Sequence, residues 1–88
     1  MCTYATVTTP VEGSAKGPHG KWFHVTDATV YFDHPVHAMA DHTLNIDIAA
    51  PSHGPAARVA LELSAASARE LMTAIAAALD SAPAELTA

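Results

Sequence analysis

Cysteine is nearly absent from this chain. Cys2 is the only one in 88 residues, so no disulfide can close within it. Basic residues are scarce too: Lys16, Lys21, Arg58 and Arg69 stand against nine acids, for a formal charge of −5. Nucleic-acid binding relies on basic clusters that neutralise phosphates, and none is present; an anionic membrane surface is disfavoured for the same reason. No apolar run approaches the ~18 residues of a spanning helix. The start lacks the charged and apolar regions of a signal peptide, so a cytoplasmic location is expected. Large apolar side chains are also in short supply. Half the residues are hydrophobic, but 20 of the 88 are alanine, which adds little burial. A domain this small has a thin stability margin, and with no disulfide it is a candidate for a bound metal or for homo-oligomerisation, a dimer first.

The pattern predicts a single domain. Residues 2–11 are rich in Thr, Val and Tyr and read as a first strand, with Pro10 marking an edge or an end. Residues 12–21 hold three glycines and a proline and read as a loop. Residues 22–33 form a second strand whose alternation switches parity at Thr26-Asp27, the mark of a bulge or break. A loop over 34–41 follows. Residues 42–50 alternate cleanly: His42, Leu44, Ile46 and Ile48 on one face, Asn45 and Asp47 on the other. Residues 56–63 are the fourth strand, with Arg58 and Glu62 outward. A helix over 64–82 starts at the N-cap Ser64 and carries Ala68, Leu71, Met72, Ile75 and Leu79 as one apolar stripe. Four strands and then a helix predict an α+β fold, a four-stranded antiparallel meander with one C-terminal helix packed on one face.

What the chain does have is histidine, and three of its six lie between Tyr31 and Asp47: His34, His37 and His42. The second hairpin centres near residue 38, so paired positions sum to about 76 and His34 faces His42, with His37 between them. Opposed residues of antiparallel strands lie about 5 Å apart. The first hairpin, centred near 16–17, gives a sum near 33 and sets Cys2 opposite Tyr31, at the same end. His53 falls at the far end. Cys2, His34, His37 and His42 are therefore the candidate metal ligands. A thiolate with imidazoles suits Zn first, and Fe, Cu or Ni as well. Asp33 or Asp41 would add a carboxylate ligand or orient a histidine. With an open coordination position, the site would serve a metal-dependent enzyme acting on a small molecule, with His37 as a fourth ligand or acid–base group. The alternatives are a metal-free enzyme with Cys2 as nucleophile and a histidine base, and a non-catalytic binding or structural homo-oligomer.

The segments MCTY, GSAKG, ATVYFDHPVHA, DHTLNID and ARVALEL, in this order, resemble a family of small actinobacterial proteins of unknown function. The resemblance runs from Met1 to about Ala78. It implies no activity and assigns no catalytic residues.

Overall fold

The computed structural model describes residues 4–88. Four strands, β1 (Thr6–Lys16), β2 (Trp22–Asp33), β3 (Thr43–Ala49) and β4 (Arg58–Leu63), form one antiparallel sheet in the order β1-β2-β3-β4. Helix α1 (Ala65–Ser81) follows β4 directly, and a single turn, α2 (Ala84–Thr87), closes the chain. The expected α+β meander is the fold found.

The β2–β3 register matches the expected sum of 76, since Asp33 pairs with Thr43 and Tyr31 with Asn45. This keeps Ala28, Val30, Phe32, Leu44, Ile46 and Ile48 on one face. Thr29, Tyr31, Asp33, Thr43, Asn45 and Asp47 take the other. The β3–β4 register adds Leu63 and Leu61 to the apolar face and Glu62 to the polar one.

The first hairpin departs from expectation. Residues 12–16 belong to β1 rather than to a loop, and the turn tightens to Pro18–Gly20. Thr6 therefore faces Tyr31, the position expected for Cys2, which lies outside the described residues. The interruption expected at Thr26-Asp27 is real but lies on the opposite strand. Pro10 pairs with Asp27 and Gly13 with Val25, so Val11 and Glu12 together oppose Thr26 as a β-bulge. The glycines read as loop signals divide between the strand and the turn. One of them, Gly13, sits at the end of the bulge. Gly17 marks the turn, and a Cβ there would come within 2.9 Å of the Phe23 ring.

The helix begins as expected, with the Ser64 hydroxyl accepting from the Ser67 amide at 3.1 Å. Its stripe packs less closely than a core does. Ala68, Leu71, Met72 and Ile75 line a groove with Val30, Leu44 and Ile46, yet no residue of α1 is buried. The buried apolar side chains among the described residues are Val25, Ala28 and Ala50. Two polar residues, Thr43 and Asn45, are at least as well buried as Val25 and Ala28, at 1% and 5% exposure. The Thr43 hydroxyl donates to the Asn45 side-chain oxygen at 2.6 Å, which meets the need of a buried donor for a partner.

Candidate functional site

The connection between β2 and β3, residues 34–42, folds over the end of the polar face. Glu62 of β4 holds it there. Its carboxylate accepts the backbone N–H groups of Val36, His37 and Ala38, with the His37 and Ala38 contacts at 3.0 and 2.8 Å. Three successive amides around one carboxylate make an anion cradle. They hold the Glu62 carboxyl below its ordinary pKa, the Ala38 amide most of all. At the loop's start, Asp33 accepts the His34 amide at 2.7 Å.

Held in this way, the loop brings His34, Asp41 and His42 together. Their potential ligand atoms all lie within 4.8 Å of one another. The two imidazole rings are 4.4 Å apart, as expected for residues facing across the hairpin. His42 also stacks on Phe32 at 5.6 Å and 11°, while His34 reaches round to line the polar face. The pair thus straddles the end of the sheet.

Asp41 fixes both rings. His34 Nδ1 lies 2.7 Å from the Asp41 carbonyl, and His42 Nδ1 lies 2.8 Å from the Asp41 carboxylate. A carbonyl oxygen only accepts, so His34 Nδ1 carries the proton; the carboxylate imposes the same tautomer on His42. In each neutral ring the lone pair then sits on Nε2. This is how metal-binding histidines are commonly prepared, with Nδ1–H on a carbonyl or carboxylate and Nε2 turned to the ion. His42 Nε2 is buried and has no hydrogen-bond partner among the described residues, a condition that costs about 1–3 kcal/mol when nothing relieves it.

The other candidate residues are distributed as follows. His37 is outside the trio; it lines the polar basin beside Glu62. Cys2, as ligand or nucleophile, lies outside the described residues. His53 is at the far end, as expected, where it lines a second hollow with His19, His24 and Trp22.

Beneath the loop lies a polar basin of about 580 Å³, lined by Tyr31, His37, Asn45, Asp47, Arg58 and Glu62 among others. Arg58 donates to one Asp47 oxygen through Nε at 3.0 Å and through a terminal nitrogen at 2.7 Å. The Tyr31 hydroxyl donates to the other at 3.4 Å. Burial, and then the Asp47 charge, push the Tyr31 phenol above its ordinary pKa; the Asp47 hydrogen bond and charge do the same for Arg58. Sequence reasoning placed Asn45, Asp47, Arg58 and Glu62 outward and did not join them. The signal was there: the β3–β4 hairpin pairs positions that sum to 107, which sets Asn45 opposite Glu62.

The model of a family of unknown function, DUF6295, matches residues 1–88. The chain belongs to DUF6295. No curated protein and no solved structure matched it. For this member of DUF6295, the chemistry has to be read from the site itself. No helix of the described residues is long and apolar enough to cross a membrane.

Proposed function

We propose that this chain binds a transition-metal ion at the His34–His42 end of the sheet, with zinc the first choice and iron, copper or nickel the alternatives. One observation carries the reading. Two imidazoles and a carboxylate converge within 4.8 Å, both rings have Nδ1 engaged by Asp41, and His42 Nε2 is buried without a partner among the described residues. In this reading His34 and His42 are the ligands and Asp41 orients them. Cys2 and His37 are the further donors to test. A thiolate ligand needs a reducing compartment, which favours the cytoplasm.

A bound ion with an open position would polarise a carbonyl or activate a water. The basin beside it supplies the groups to hold a small polar substrate: the Tyr31 hydroxyl, the Asn45 amide and the Arg58 guanidinium. His37, at the rim, is placed to move a proton.

The test is elemental analysis of untagged protein purified without chelator, followed by titration against a chromophoric chelator. About one ion per chain is expected, the apo-binding stoichiometry of a single site. His34→Ala and His42→Ala should each lose it while keeping the circular-dichroism spectrum. Protein that takes up none of Zn, Fe, Cu or Ni on reconstitution overturns the proposal.

A further inference from the structure

The opposite side of the sheet raises a separate question, independent of any metal. Helix α1 leaves Met72, Ile75 and Leu79 exposed at 66%, 54% and 56%. Beside them, the groove between the helix and the sheet measures about 290 Å³, and its floor is Val30, Leu44 and Ile46. A compact monomer with the 9.1 kDa mass of this chain exposes about 4,900 Å². This chain exposes 6595 Å², a surplus of about 1,700 Å² on that scaling. Its radius of gyration is 14.5 Å, against about 12 Å for a compact chain of this length. A standard interface removes about 800 Å² per partner, and obligate dimers remove about 1,000–2,500 Å². The surplus therefore matches one obligate partner.

We infer that the partner is a second copy of this chain, packed α1 against α1 across a two-fold axis. Such an interface must be complementary to itself, and the α1 sequence meets that condition. An antiparallel crossing centred between Ala74 and Ile75 brings Ile75 of each copy together beside the axis and sets Met72 of each next to Leu79 of the other, all residues of the one exposed stripe. The exposed apolar side chains of the two stripes then cover one another. The same axis sets Arg69 beside the second copy's Asp80. These two residues are eleven apart, about three turns, so they share one flank of the stripe. In an antiparallel pair like flanks meet, and the flank charges are opposite.

Sedimentation equilibrium on the untagged full chain tests this between about 1 and about 200 μM, a range that resolves micromolar dissociation. A mass of twice the chain is expected. Ile75→Asp should yield monomer. Because that variant risks unfolding, the surface pair gives the second test. Arg69→Asp and Asp80→Arg should each weaken the dimer about 10-fold, through like charges brought together. The two combined should restore it to near the starting affinity. A monomer across the whole range overturns the inference, as does a dimer indifferent to Ile75→Asp and to both charge variants. A monomer that instead binds a different protein or a vesicle through α1 overturns it too.

Discussion

The two faces of the sheet are stabilised in opposite ways. The polar face is tied together by hydrogen bonds around its basin. Thr43 and Asn45 are deeply buried there, Arg58 and Tyr31 share Asp47, and Glu62 fastens the loop above them. The apolar face is open, with Val30, Leu44 and Ile46 only partly covered and the α1 stripe exposed. In a larger domain the apolar face would be the dry one. Here 20 alanines leave too little side-chain bulk for one helix to seal a four-stranded sheet, whereas directional hydrogen bonds order the polar face without bulk. The contrast makes a general point: a domain this small can be ordered where it is polar and incomplete where it is apolar.

If that contrast is right, damage to the apolar face should be global and damage to the polar face local. The largest effect should come from Leu44→Ala, on the floor of the groove, which removes about 2–3 kcal/mol by denaturant unfolding while leaving the His34–His42 geometry in place. Asp41→Ala should reverse the pattern. Metal affinity should fall about 10–100-fold by chelator competition, the usual cost of losing an orienting partner, with little change in unfolding. Ser64→Ala should cost about 1 kcal/mol through loss of the helix cap. Acid should act on the polar face. The folded-state pKa of Glu62 is lowered, so its contribution is present above its unfolded value and is lost as pH falls through the folded one. Hydrogen exchange should therefore show the 36–38 amides losing protection in acid before the strands do, and Glu62→Gln should flatten that dependence. The smallest effect should be that of Asp47→Asn, which lowers the Tyr31 phenol toward its ordinary range in an ultraviolet titration.

The same contrast decides what the sequence made legible. The β2–β3 register followed from Pro35 and the clean alternation after His42, and it brought His34 and His42 together. Ser64 and the helix followed from local capping chemistry. β1 beyond Pro10 did not, because glycines that serve a bulge read as loop signals when the partner strand is unknown. The Glu62 cradle was hidden for another reason. It joins a side chain to backbone amides some 25 residues away, and amides carry no sequence signature. The openness of α1 was also out of reach: spacing identifies a stripe but not how far a neighbour covers it.

The bulge on β1 has a consequence for life in a crowded solution. β1 is the longer outer strand of the sheet, eleven residues that would otherwise offer an unbroken row of donors and acceptors to any passing chain. Pro10 removes one donor from that row, and the bulge next to it bends the strand where a flat template would be needed. The opposite edge, β4, is only six residues long. Such a sheet resists being extended strand by strand into a fibre, so a chain rich in alanine and exposed apolar surface is guarded against amyloid growth at both of its margins.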